Sequence, residues 1–168
     1  MNRLCTRRDA DTIATIINDA ARAYEGHIPR DCYHQPYMPQ DEVLSNMADG
    51  VEFFGYEKDG SLVAVMGIQD RGRVTLIRHA YTRTEHRGTG IGSRLLEHLL
   101  QMTQKPVLIG TWRDATWAIR FYQKFGFKLV SSEQKDRLLR TYWSISQRQV
   151  ETSVVLADEK YGEELPAS

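Results

Sequence analysis

The chain has 168 residues, 41% of them hydrophobic and 26% charged, and 22 lysines and arginines balance 22 aspartates and glutamates. This length predicts one domain burying about 70% of its unfolded surface. Net neutrality argues against the broad basic face of a nucleic-acid or membrane-surface binder, and no apolar run approaches the ~18 residues of a membrane span.

The segment "RLCTR" reads as a first strand, and Asp9 as the N-cap of a helix. Ile13, Ile16, Ile17, Ala20 and Tyr24 carry that helix to about residue 24 at helical spacing. The next stretch, "EGHIPRDCYHQPYMPQ", holds three prolines, two histidines and two tyrosines and reads as a long loop. A short helix over 40–49 follows. "VEFFGYEK", "SLVAVMGIQ" and "VTLIRHAYT", joined by "DG" and "DRGR", read as three antiparallel strands. Ile91, Leu95, Leu96, Leu99 and Leu100 stripe a second long helix, and Pro106 opens the strand "PVLIGTW". Asp114 reads as the cap of a helix bearing Trp117, Ala118, Phe121 and Phe125, with Gly126 as its C-terminal glycine.

"FKLVS" reads as a strand. A short helix follows with Ser131 and Gln134 in capping-box positions, and "RQVETSVVLA" reads as the final strand. The order predicts an α/β fold with a mixed, mostly antiparallel twisted sheet flanked by helices over 1–156, and a frayed polar tail over 157–168. The apolar residues 138–143 are a candidate pairing or swapping surface for a homodimer. Cys5 and Cys32 show neither metal-ligand spacing nor a disulfide framework, and the N-terminus turns acidic and helical too early for a signal peptide; both predict a cytoplasmic setting without a metal.

The stretch "EHRGTGIGSRLL" needs its own account. It places Gly88, Gly90 and Gly92 after Arg87, between a strand and a leucine-striped helix. Unpaired N–H groups at a helix N-terminus, glycines that keep Cβ atoms out of the way and a permanently charged guanidinium suit a phosphate. The alternative is a tight turn that uses glycine for geometry alone. A Walker loop needs a closing Gly-Lys-Ser/Thr, which is missing, and a GxGxxG fingerprint starting at Gly88 fails at Ser93.

Residues 87–92 resemble the R/Q-x-x-G-x-G/A signature of the GNAT superfamily of N-acetyltransferases. "AIRFYQKFGF", a helix with a tyrosine four residues before Gly-Phe, resembles that superfamily's second conserved block. The resemblance covers about 3–156. It implies acetyl-CoA as donor and a small-molecule amine as acceptor, attacked directly in a ternary complex. It places the pyrophosphate on Arg87, Gly88, Thr89, Gly90, Ile91, Gly92 and Ser93. It runs the pantetheine arm between strands near 80–82 and 107–111, with a strand irregularity at Ala80, Tyr81 and Thr82 supplying an oxyanion donor. It sets Tyr122 at the thioester sulfur. Where many members carry asparagine seven residues before that tyrosine, this chain has Ala115.

An alkyl ammonium with a pKa near 10.4 costs roughly 4–5 kcal/mol to deprotonate at neutral pH. His79, on the strand entering the glycine loop, is a candidate base, and strand alternation puts it on the Ile77/Tyr81 face. His27 and His34 lie in the long loop, and a site with no dedicated base is the alternative. Tyr24, His27 and Tyr37 are candidate acceptor contacts, while Glu25 and Asp31 suggest a cationic or polar acceptor. Two rivals stand beside the acetyltransferase: a non-catalytic acyl-CoA-binding or sensing domain, and a transferase of longer acyl chains.

Overall fold

Alternation in β2 (Glu52–Lys58) sends neighbouring aromatics to opposite faces of a sheet. Phe53 packs among Ile13, Ile16 and Val43 from α1 (Ala10–Ala21) and α2 (Gln40–Ala48). Phe54 packs among Leu95, Leu96 and Leu99 from α3 (Ile91–Leu100). The computed structural model describes residues 1–164. They form a seven-stranded sheet in the order β1 (Asn2–Leu4), β2, β3 (Ser61–Asp70), β4 (Thr75–Thr82), β5 (Val107–Trp112), β7 (Ser153–Ala157), β6 (Lys128–Leu129). Among the described strands only β4 and β5 pair in parallel, which matches the predicted mixed, mostly antiparallel sheet.

Two irregularities shape the centre. In the β3–β4 ladder Gly67 faces Arg78 and Val65 faces Tyr81, so Met66 alone opposes both His79 and Ala80. This is a β-bulge, and His79 takes the left-handed conformation at φ 56°. One strand further on, β4 and β5 pair only from Thr75–Val107 to Ile77–Ile109. Beyond that point β4 follows β3 as far as Thr82, while β5 follows β7 as far as Trp112. Extra twist at the bulge accompanies the parting, and the sheet opens like a V. The opening lies between 78–82 and 110–112, so residues 107–109, expected to border it, are instead zipped to β4.

Several local expectations change. Asp9 stands at the α1 N-cap position, but its carboxylate accepts from the Thr6 N–H at 2.8 Å and from Arg3 at 2.9 and 3.1 Å, not from α1. Asp114 does not cap α4 (Thr116–Gln123); the cap position belongs to buried Ala115. The expected final strand over 148–157 is half helix: α6 (Gln147–Thr152) precedes β7, because Ser146 accepts from the Gln149 N–H at 3.2 Å. That Ser-x-x-Gln start repeats the Ser131–Gln134 cap of α5 (Ser132–Tyr142), and it prevails over the strand-like alternation. The apolar face of α5 is turned into its own chain, with Leu138 and Leu139 buried beneath β7, so it is not a free pairing surface. The tail read as frayed forms α7 (Glu159–Glu164), with Tyr161 packed on the same cluster; 165–168 lie outside the described residues. No helix among the described residues is long and apolar enough to cross a membrane.

Candidate active site

The glycine-rich turn links β4 to α3. Gly88 and Gly90 sit at φ 76° and 83°, and a Cβ at either would meet nothing within 4 Å. Glycine there supplies left-handed backbone under open space. Gly92 has ordinary backbone, and a Cβ would touch Phe121 at 3.6 Å and Thr82 at 3.8 Å, so that position asks only for a small residue. The first helical bond is Arg94 N–H to the Gly90 carbonyl at 3.1 Å. The amides of 88–93 have no acceptor among the described residues. Residues 88–93, at the partial positive charge of the helix start, line a cavity of about 530 Å³. Arg87 lies on its rim with Arg120 and Lys124.

Tyr122 reaches the same cavity from α4. The end of that helix is a Schellman turn. The Gly126 N–H donates to the Gln123 carbonyl at 3.0 Å, the Phe127 N–H donates to the Tyr122 carbonyl at 3.3 Å, and Gly126 stands at φ 89°. The accompanying apolar contact is Phe127 against Tyr122, with ring centroids 6.3 Å apart. Phe121 flanks the other side at 5.2 Å. The Gly-Phe pair after the tyrosine thus fixes the direction of its ring. The Tyr122 hydroxyl has no hydrogen-bond partner among the described residues, and burial holds its pKa well above the ordinary phenol value.

A second cavity, about 830 Å³, lies on the opposite face, between α2, β4, the loop after α1 and the segment before β7. Tyr81 borders both cavities. Its hydroxyl lies 3.3 Å from that of Tyr24, and Tyr37 completes the group by accepting from the Trp112 indole N–H at 2.7 Å. Burial raises all three phenol pKa values, so these hydroxyls stay protonated at neutral pH. Ala115 packs under this cluster with Trp112 and offers no polar atom where asparagine was expected.

The predicted site residues therefore divide. Tyr24, Ala80, Tyr81, Thr82, residues 87–93 and Tyr122 line the first cavity, and His79, Tyr37 and Tyr81 line the second. His79 does not share a face with Ile77. The bulge turns its ring onto Phe53, 5.8 Å away, and its Nε2 lies 3.2 Å from Asn46 Oδ1. Burial, with Arg78 beside it, pushes the imidazole down to about 3. His27 borders neither cavity and rests edge-on against Trp117 at 5.2 Å. Glu25 is exposed and lines neither cavity, while Asp31 is clamped by Arg148 at 2.9 and 3.0 Å. Sequence reasoning missed Trp117, Arg120 and Lys124, which helical spacing puts on the cavity face of α4. It also missed Arg78 and Asn46 in the second cavity, where no local pattern marks them.

Residues 19–142 match the family model described as an acetyltransferase (GNAT) domain. The chain belongs to the GNAT acetyltransferase family. The PaiA N-acetyltransferase of Thermoplasma acidophilum, solved in complex with coenzyme A, shares the fold at a TM-score of 0.69 and 14% identity, covering 94% of this chain and 97% of its own. A putative acetyltransferase, YncA, from Salmonella typhimurium, solved with acetyl-CoA, gives 0.60 at 18% identity over 78% and 80%. A GNAT acetyltransferase from Elizabethkingia anophelis with acetyl-CoA bound gives 0.54 at 21% over 70% and 82%. The GNAT match ends at Tyr142, so Ser144, Ser146, Arg148 and Gln149, which wall the second cavity, lie beyond it.

Proposed function

We propose that the protein transfers the acetyl group of acetyl-CoA to the primary amine of a small acceptor, by direct attack in a ternary complex. The observation that carries this reading is the opening between β4 and β5, with an amide-lined cradle on one side and a separate cavity on the other. The donor supplies an activated thioester. In this reading the amides of 88–93 and the guanidinium of Arg87 hold its diphosphate, and Ala80 and Thr82 line the channel of its pantetheine arm.

The chain's own groups then meet the three demands of the chemistry. In this reading a main-chain N–H of β4 beyond Ile77, where pairing with β5 has ended, serves the carbonyl oxygen as it gains negative charge. Tyr122, kept protonated by burial, donates to the sulfur as the C–S bond breaks. A thiolate whose thiol has a pKa near 8.5 is a weaker base than a phenolate whose phenol lies above 10, so the phenol stabilises the thiolate by a hydrogen bond and keeps its own proton. An amine entering past Tyr81, Tyr24 and Trp112 leaves water behind, and desolvation lowers its pKa toward the neutral form. His79 is too weak a base, at about 3, to take the proton, so no dedicated base is assigned; as the C–N bond forms and the C–S bond breaks, the surplus proton of the amine nitrogen leaves to water.

Calorimetry with acetyl-CoA, followed by thiol release across an amine panel, tests the reading. Donor binding with amine-dependent thiol release is the expected result. Tight donor binding without release for any amine would favour a sensing domain, and no binding would remove the proposal.

A further inference from the structure

Arg78 is the last β4 residue before the bulge, half-buried in the wall of the second cavity. Its side chain is built into place. One guanidinium nitrogen donates to Gln69 Oε1 at 3.2 Å. Gln69 is 2% exposed, and its amide nitrogen donates to the Asp49 carbonyl at 2.9 Å and to the Asp49 carboxylate at 3.3 Å. Gln69 is thereby fixed with its oxygen toward Arg78. Four of the five guanidinium N–H donors remain. No carboxylate among the described residues lies within the 4.0 Å of an ion pair with it; Asp49 and Glu42 act on it only from further off.

A half-buried guanidinium with most of its donors free favours an anionic partner, and a planar fork suits a carboxylate. The other cation of this cavity, Arg148, is already held by both oxygens of Asp31. Glu42 and Asp49 stand exposed on α2 and just beyond its end, where they disfavour a ligand of net negative charge. A ligand with one anionic and one cationic end satisfies both facts. Resting on the transferase reading above, we propose that the second cavity takes an amine that also carries a carboxylate, and that Arg78, positioned by Gln69, selects it. Its amine end would reach Tyr81, where the two cavities meet. Tyr81 is three residues along β4, on the order of 10 Å of extended strand, shortened by the bulge.

The test uses initial rates of thiol release with glycine, aminobutyrate and aminohexanoate, each against its own amide, and diaminopentane as a purely cationic arm. The wild type is expected to prefer acids over amides, with the longer acids ahead of glycine. Arg78→Gln is expected to reduce the acid-over-amide ratio in kcat/KM by about 10- to 100-fold, mainly through KM, as fits a lost charge-assisted hydrogen bond. Arg78→Lys, which keeps the charge but not the fork, is expected to fall between and serves if the glutamine variant folds poorly. Equal or better use of amides or diaminopentane by the wild type, or an undiminished ratio in Arg78→Gln, would overturn the inference and leave the transferase standing. Calorimetric binding of aminohexanoate that depends on Arg78, without turnover of any amine, would support the inference while removing the enzymatic reading. No turnover and no such binding would remove both.

Discussion

The two cavities on either side of the β4–β5 opening are built by different means. The first has a backbone device at its centre: the amides of 88–93, the left-handed Gly88 and Gly90, and the parted strands. The second is made of side chains from distant segments, with Asp31 clamped to Arg148 across 117 residues and Gln69 linking Arg78 to Asp49. A backbone cradle suits a group common to every turnover. A side-chain wall suits the partner that must be told apart, and here it includes residues beyond the stretch that matches the family model.

This contrast can be broken most sharply at Tyr122, a side chain among those the first cavity adds to its backbone turn. Tyr122→Phe is expected to lower kcat by roughly 10- to 100-fold with unchanged donor affinity, read by initial rates and calorimetry. A weakened donor affinity with normal kcat would mean the ring only packs. Next comes the loop. Gly90→Ala forces a Cβ into left-handed backbone, at about 1–2 kcal/mol, and is expected to weaken donor binding by about tenfold. Gly92→Ala is expected to change it much less, since its Cβ finds ordinary contacts. Equal losses at both positions would show that space, not backbone conformation, is what glycine provides.

The last effect lies in the second cavity, concerns stability and not turnover, and appears only as pH falls. The folded pKa of His79 is about 3 against 6.5 for a free imidazole. As pH falls below 6.5 the unfolded chain gains a proton that the folded chain does not, so stability declines between 6.5 and 3. His79→Asn, which tolerates left-handed backbone, removes that slope. The stability gap between wild type and variant is expected to shift in the variant's favour as denaturation is followed from pH 7 to pH 4. A gap independent of pH would contradict the depressed value. Asp9 and Asp31, also held below the ordinary carboxylate value, add the same sign of slope at lower pH in both proteins.

Legibility followed the same division. The glycine loop, the Schellman turn at Gly126 and the Ser131 cap are local devices, and each was readable because its hydrogen bonds close within a few residues. The equally local cap at Ser146 was overlooked because strand-like alternation in "RQVETSVVLA" covered it. The face of His79 was misread because a period of two survives only while the ladder keeps register, and one extra residue opposite Met66 ended it. Glu25 and Asp31 suggested a cationic or polar acceptor, but a charge counts only after its partners are known, and the Arg148 that holds Asp31 lies too far along the chain to be foreseen.

Periodicity determined the order of most elements, and two short motifs carried the resemblance to the family and marked the glycine-rich turn, because these depend on backbone geometry that neighbouring residues impose on one another. The tertiary structure alone decided where β4 and β5 part, which way His79 turns, that Tyr81 stands between two cavities and that Arg78 faces the second without an ion-pair partner among the described residues. Those outcomes rest on contacts between residues far apart in the chain, whose burial and pairing exist only once the sheet has formed.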